Sequence, residues 1–178
     1  MRRVLQIGLI VMLAAVMFPT ATEAGQFIFG FGAGSNTVKI DEDFDESEIG
    51  WKAFAGYRFV KYFGIEAQYS DWGNPESGTT QVDVNEFALF LMGIWPVAEH
   101  FEAFGKLGYG QWNVNVDDAT SGDLFEEDEW DLAYGVGIGI PFAEHFAFRV
   151  EYERYEIENT DSVDMLSASI DFRFGSYN

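Results

Sequence analysis

The stretch between Trp130 and Tyr155 limits what this chain can fold into more than any other. In WDLAYGVGIGI, which begins at Trp130, large apolar side chains alternate with small or acidic ones. After the segment PFAEH the alternation resumes in FAFRVEYERY, which ends at Tyr155. A period of two residues is typical of a β-strand, where successive side chains point to opposite faces. The stretch therefore predicts a β-hairpin with one apolar face and one face of charges and glycines.

The same alternation recurs along most of the chain. The predicted strands span residues 26–39, 49–59, 63–72, 81–95, 101–114, 130–140, 146–155 and 163–174. The segment FALFLMGIW in the fourth strand is apolar on both faces, so its register stays open. No second layer appears against which so many apolar faces could pack, and we therefore expect these faces to contact lipid. A composition of 17% aromatic residues, 19 glycines and only 4 prolines favours strands over helices.

The connections between the predicted strands alternate in length. Short turns at residues 60–62, 96–100 and 141–145 alternate with longer, more acidic links at 40–48, 73–80, 115–128 and 157–162. In bacterial outer-membrane barrels the periplasmic turns are short and the extracellular loops are long. The barrel must close, because an open edge would leave unpaired backbone groups in lipid. The sequence thus predicts an all-β fold, an eight-stranded antiparallel up-and-down transmembrane β-barrel in the bacterial outer membrane.

The first 24 residues have the organisation of a secretory signal peptide. Arg2 and Arg3 form a basic region, residues 4–18 are apolar, and the segment ends in the small residue Ala24. A membrane helix is the alternative, but the apolar run is shorter than the roughly 20 residues needed to span a bilayer. We expect a signal peptide at 1–24 and a barrel domain at 25–178. The net charge of −20 argues against a nucleic-acid partner, and the absence of cysteine excludes disulfides and thiolate chemistry.

Several segments resemble the membrane domain of the OmpA-like and OmpX-like small outer-membrane proteins. They are YRF at 57–59, YFGIEAQYSD at 62–71 and FGKLGYG at 104–110. The segment SASIDFRF at 167–174 resembles the C-terminal signal that the barrel-assembly machinery reads in this family, although Ser169 stands where glycine is usual. The resemblance implies an OmpA-type membrane domain without the periplasmic peptidoglycan-binding domain. It also implies outer-membrane lipid and lipopolysaccharide as surroundings.

The predicted inward face carries charges of both signs. They are Lys52, Arg58, Glu66, Glu102, Lys106, Asp131, Arg149, Glu151, Glu153, Asp171 and Arg173. The interior of an eight-stranded barrel is just wide enough for side chains to fill, so these groups should pair with one another. The family resemblance implies an ion-pair network that acts as a plug or slow gate, with Glu66, Lys106, Asp131 and Arg149 at its centre. A static salt-bridge core is the alternative interpretation.

The acidic links and the two histidines are weaker candidates for a site. Carboxylates concentrate at residues 41–48 and 117–129, where divalent cations could bridge them to lipopolysaccharide phosphates, or where they simply form a solvated surface. His100 and His145 lie in repeated AEHF turns at the predicted periplasmic rim. A histidine there is far from the outer leaflet, which counts against a lipid A-modifying enzyme. We expect no catalytic residue, metal site or cofactor.

Three classes of function follow from these observations. The first is a structural or surface-interaction protein of the cell envelope that is not an enzyme. The second is a narrow gated channel or small-solute conduit through the same lumen. The third is a lipid A-modifying enzyme, which some eight-stranded barrels are. The inward charges are the basis for the second class, and the position of the histidines counts against the third.

Overall fold

The computed structural model describes residues 25–39, 45–72, 76–77, 80–117, 130–156 and 162–176. The predicted signal peptide at 1–24 lies outside the described residues, as does most of the predicted loop sequence. All regular structure in the described part is β-strand. None of it forms a helix with the length and hydropathy that crossing a bilayer requires.

Eight antiparallel strands form a closed barrel. They are β1 (Gly25–Lys39), β2 (Asp45–Val60), β3 (Phe63–Asp71), β4 (Thr80–Ala98), β5 (Phe101–Asp117), β6 (Trp130–Ala143), β7 (Phe146–Glu156) and β8 (Ser162–Ser176). Each strand pairs with its neighbours in sequence, and β1 pairs with β8 from Gly25↔Ser176 to Lys39↔Ser162. A two-residue strand, Glu76–Ser77, pairs with the beginning of β4. The predicted fold class and all eight predicted strands are confirmed.

The alternation of side chains decides which face is enclosed. On β3, Ile65 is 52% exposed whereas the next residue, Glu66, is 2% exposed. The same contrast holds on β5, where Leu107 is exposed and Lys106 is buried. The large apolar residues therefore form the outer wall, and the charged residues line the lumen. This arrangement is the reverse of a soluble barrel and suits a lipid surrounding.

The structure settles the register of the fourth strand. Phe90, Met92 and Ile94 point into the lumen and are buried, while Leu89, Leu91 and Trp95 are exposed on the outer wall. Phe90 has a specific role inside, because the Lys106 ammonium lies 4.1 Å from the centre of its ring. The apolar inner face of β4 thus packs against charged side chains from other strands.

The predicted five-residue turns at 96–100 and 141–145 are too long. The strands continue through Ala98 and Ala143, which leaves two-residue turns at 99–100 and 144–145. The pairing shifts by one residue between Pro96 and Ala98 and again between Pro141 and Ala143. A β-bulge tolerates proline, which cannot donate a ladder hydrogen bond. The same shift occurs before the β2–β3 turn, so each of these three short turns is preceded by a bulge.

The opposite end of the barrel also departs from the prediction. The loop predicted at 40–48 is shorter, because Asp45 already pairs with Lys39 and begins β2. The loop predicted from residue 115 begins later, since β5 continues to Asp117. Acidic residues at a strand end are poor strand formers in isolation, but pairing with a neighbouring strand overrides that preference. The strands therefore extend further at this end than alternation alone indicates.

Candidate functional site

The lumen is crossed at mid-height by a cluster of six ionised side chains, which we call the central cluster. Its members are Lys52, Glu66, Lys106, Arg149, Glu151 and Glu153, and each is at most 4% exposed. Lys106 on β5 lies 3.1 Å from Glu66, 2.5 Å from Glu151 and 2.7 Å from Glu153. One ammonium group thus serves carboxylates from β3 and β7, on different sides of the lumen.

Arg149 and Lys52 complete the pairing of these carboxylates. The Arg149 guanidinium donates to both oxygens of Glu66, at 2.6 and 3.1 Å, and its Nε lies 3.0 Å from Glu151. This two-point geometry is the strongest form of carboxylate recognition. The same guanidinium lies 4.5 Å from the ring centre of Phe54 and 4.3 Å from that of Phe104. Lys52 reaches Glu151 at 2.8 Å and Glu153 at 2.5 Å.

Uncharged polar side chains add further hydrogen bonds to the central cluster. Gln68 accepts a hydrogen bond from Lys106 at 2.8 Å and donates one to Glu153 at 2.8 Å. It also lies 3.0 Å from Ser70 and 3.2 Å from the Tyr155 hydroxyl. Gln68, Ser70 and Tyr155 are not among the predicted network residues. Their strand parity alone, which matches that of Glu66 and Glu153, could have identified them.

A second group of ion pairs closes the lumen toward the short turns, and we call it the periplasmic cluster. Glu102 accepts from Arg58 at 2.7 Å and from Arg173 at 2.6 Å, and Arg173 also donates to Asp171 at 3.0 Å. Arg58 in addition donates to the carbonyl oxygen of Lys61 from both Nε and Nη2. The guanidinium therefore ties the β2–β3 turn to the barrel wall. Arginine suits this position because its fork of donors reaches several acceptors at once.

The opposite end of the lumen is filled by aromatic rings. The rings of Trp72, Trp112 and Tyr155 lie 5.1 to 5.3 Å apart between centres and are all buried. Glu86 is 1% exposed and lies next to Tyr155 and Trp72 of this aromatic plug, and its carboxyl group forms no ion pair among the described residues. Gly110 makes room for it, because a Cβ there would lie 2.4 Å from Glu86 Oε1. Glu86 is not among the residues predicted to line the lumen.

The predicted network residues all lie inside the barrel, but in different groups. Glu66, Lys106, Arg149 and Glu151 meet in the central cluster. Arg58, Asp171 and Arg173 belong to the periplasmic cluster. Asp131 is buried on β6, opposite Gly110 on β5, and lies toward the aromatic plug. The central cluster takes its further carboxylate, Glu153, from β7.

The histidines lie where the sequence placed them, in the exposed two-residue turns. His145 Nδ1 is 3.1 Å from the carbonyl oxygen of Arg173, and its ring lies 5.9 Å from that of Phe172. These contacts join the β6–β7 turn to the end of β8. Within the described ranges no group of three or more acidic or histidine side chains is arranged to hold a metal ion. Of the acidic stretches predicted at 41–48 and 117–129, residues 41–44 and 118–129 lie outside those ranges.

In the described part, β4 and β5 extend as a pair well beyond the region of the barrel in which all strands are paired. β4 and β5 remain paired from Ala98↔Phe101 to Gln81↔Asp117, whereas β3 pairs with β4 only up to Asn85 and β6 pairs with β5 only up to Gln111. In the described part, residues 81–84 and 112–117 therefore form a ribbon, which we call the β4–β5 ribbon. At the same end β1 stays paired on both sides, with β2 to Lys39↔Asp45 and with β8 to Lys39↔Ser162.

Comparison with known proteins agrees with this architecture. The sequence model of a family described as outer membrane protein beta-barrel domain matches residues 8–174. A search of curated proteins finds no significant match. Neisserial surface protein A superposes with a TM-score of 0.71 at 14% identity, over 83% of this chain and 97% of that one.

Two further solved structures have the same fold. One is the attachment invasion locus protein Ail of Yersinia pestis in complex with the heparin analogue sucrose octasulfate. Its TM-score is 0.65 at 18% identity, over 85% of this chain and 99% of that one. The other is the outer membrane enzyme PagL, with a TM-score of 0.52 at 12% identity, over 82% and 98%. At such identities the likeness shows the fold alone.

Proposed function

Because the chain belongs to the family of outer membrane protein β-barrel domains, we propose that it is a non-enzymatic envelope protein that presents a surface for interaction outside the cell. The β4–β5 ribbon carries this proposal. β4 has 19 residues and β5 has 17, whereas a strand needs only about 9–11 residues to cross the membrane. The ribbon itself contributes four paired positions, Gln81↔Asp117 to Val84↔Val114, which at about 3.3 Å each carry it beyond the rest of the barrel.

The backbone of the ribbon supports binding by strand addition. In the described part of the chain, β5 beyond Gln111 pairs only with β4, so its other edge has no strand partner among the described residues. An exposed strand edge can accept an extended segment of a partner protein through main-chain hydrogen bonds. Ail was solved with a polyanionic heparin analogue, but this chain has a net charge of −20. We therefore propose a basic protein surface as the partner, with divalent cations at the acidic links as a second means of attachment to lipopolysaccharide.

Shortening the ribbon should separate the envelope role from the surface role. Deleting residues 81–84 together with 114–117 removes residues that pair with one another, and an even number keeps every remaining side chain on its face. We expect the shortened protein to fold and to restore detergent resistance to cells that lack the native protein. We expect it to lose at least about 1.4 kcal/mol, or tenfold, in affinity for a basic extracellular protein, measured on whole cells.

A control deletion makes that experiment decisive. Deleting residues 118–121 shortens the acidic segment but leaves both paired arms of the ribbon in place. If both deletions lower binding equally, the strand edge is not the binding element. If cells with and without the native protein differ in the covalent structure of lipid A, the proposal of a non-enzymatic role is wrong.

A narrow gated conduit is the second candidate, and the arrangement around Lys106 favours it. Three carboxylates lie within 3.1 Å of this one ammonium group, so the partners could be exchanged without leaving a charge unpaired. Replacing Arg149 by alanine removes the cation that holds Glu66 at two points. On this hypothesis single-channel recordings in planar bilayers should show longer open periods for Arg149→Ala than for the native protein. Equal, negligible conductance in both would leave the central cluster a purely structural role.

A further inference from the structure

The lumen opens at the short-turn end into a cavity of about 330 Å³. The turns of the two AEHF repeats form part of its wall, and Glu102 and Arg173 of the periplasmic cluster form its inner end. The apolar part of the lining consists mainly of Pro96, Pro141 and Phe146. A volume of this size is at the lower end of the range for small-molecule sites.

Acidic side chains dominate the polar lining. Glu99 and Glu144 contribute one carboxylate from each repeated turn, and both are exposed. Neither forms an ion pair with a residue in the described part of the chain, whereas Glu102 is already shared by Arg58 and Arg173. The inner end of the cavity is therefore neutralised, but its rim carries two uncompensated negative charges. A ligand of positive charge is attracted there.

Two buried atoms at the inner end lack hydrogen-bond partners. They are Gln26 Oε1, an acceptor, and Arg173 Nε, a donor, and no residue that the structure describes satisfies either of them. Both side chains line the cavity. Buried polar atoms are rarely left unpaired, so each of them indicates a position where a ligand atom of the opposite kind would bind. The ligand must then offer a donor and an acceptor close together.

We propose that this cavity binds a basic amino acid from the periplasm, either free or as the terminal residue of a peptide. Its carboxylate or carbonyl oxygen accepts from Arg173 Nε, and an N–H group donates to Gln26 Oε1. The aliphatic part of the side chain packs on the proline rings, and the terminal ammonium lies between Glu99 and Glu144. Lysine and arginine combine all four features: a carboxylate acceptor, an N–H donor, an aliphatic stem and a terminal cation.

Calorimetric titration of the refolded full-length protein in detergent micelles tests this assignment. L-lysine should bind saturably, and norleucine, which has the stem but lacks the distal ammonium, should bind at least about tenfold more weakly. The double variant Glu99→Gln/Glu144→Gln should lose about the same factor for lysine, because it keeps the shape of the rim and removes its charge. Glu156→Gln, an exposed carboxylate at the other end of the barrel, should bind lysine as the native protein does.

The source of the ligand is distinguished by a second titration with the peptide Gly-Gly-Lys. Tighter binding of the peptide than of free lysine would identify a peptide end, and the opposite order would identify the free amino acid. The absence of saturable heat up to about 20 mM lysine would overturn the proposal. So would equal affinity of the native protein and the double variant, since the rim carboxylates would then contribute nothing.

Discussion

Replacing Lys106 with methionine is expected to lower the free energy of unfolding by about 3–5 kcal/mol, the usual cost of removing one partner from a buried ion pair. Methionine is one atom shorter but keeps an apolar stem of similar shape, and it removes the ammonium group that lies over the Phe90 ring. The loss therefore reports the charge, which three buried carboxylates share. Urea titration of the protein in lipid vesicles, followed by the heat-modifiable shift in gel migration, measures this change.

Glu86 supplies a matched control inside the same lumen. It is as deeply buried as Glu66, but it belongs to the aromatic plug and forms no ion pair with any described residue. Glu86→Gln replaces a buried carboxyl group that has no ion-pair partner among the described residues, so we expect an unfolding free energy equal to that of the native protein or higher. Glu66→Gln should instead be destabilising, because it leaves Arg149 without its two-point acceptor. If Glu66→Gln and Glu86→Gln behaved alike, the ion pairs would not be what stabilises the lumen.

The variant Lys106→Arg tests whether the site needs charge or a particular shape. Arginine keeps the positive charge, but its planar group is larger than an ammonium that already has carboxylates at 2.5 to 3.1 Å. We expect it to restore part of the stability lost in Lys106→Met. Should Lys106→Met prove as stable as the native protein, the central cluster would be a tolerated feature rather than a stabilising one.

The fold could be predicted because a barrel strand follows a simple rule. Every second residue faces lipid. The alternation of Trp130, Leu132 and Tyr134 therefore predicts the lipid-facing side of β6 without any knowledge of distant contacts. The exact ends of the strands could not be read in this way. Whether Asp45 or Asp117 is in a strand depends on a partner far away in sequence, since pairing overrides a weak local preference. The bulges at Pro96 and Pro141 could not be predicted for the same reason, because a bulge is defined by the pairing of two strands.

The sequence predicts most of the residues that line the lumen, but it does not predict which of them form ion pairs with one another. Parity placed Glu66, Lys106 and Arg149 in the lumen. Which carboxylate meets which cation depends on the stagger between strands, which brings Glu153 of β7 to Lys106 and leaves Asp131 nearer the aromatic plug. Glu86 was missed because it precedes FALFLMGIW, the one stretch whose apolar residues on both faces conceal the parity of the strand. The odd or even position of a residue along its strand determines whether its side chain enters the lumen. The stagger between strands determines which carboxylate pairs with which cation.

A lysine placed at Val136 should destabilise the protein by about 2–4 kcal/mol, the cost of a cation on the lipid-facing side at the bilayer midplane. Val136 is 61% exposed and lies in the middle of the outward face of β6. In a soluble barrel a lysine at so exposed a position would have almost no effect. The size of the loss therefore measures the environment of the outer wall directly.

Phe142 on the same strand is the control for Val136, because it is also 61% exposed but lies next to the short turn at the membrane boundary. Phe142→Lys should cost only about 0–1 kcal/mol, since a lysine at that depth reaches water. Urea unfolding in phospholipid vesicles gives both values under the same conditions. A loss that is large at Val136 and small at Phe142 follows only if the apolar face contacts acyl chains. Equal losses at the two positions would mean that the outer wall has no hydrocarbon centre, and the inward placement of every charge discussed above would lose its physical reason.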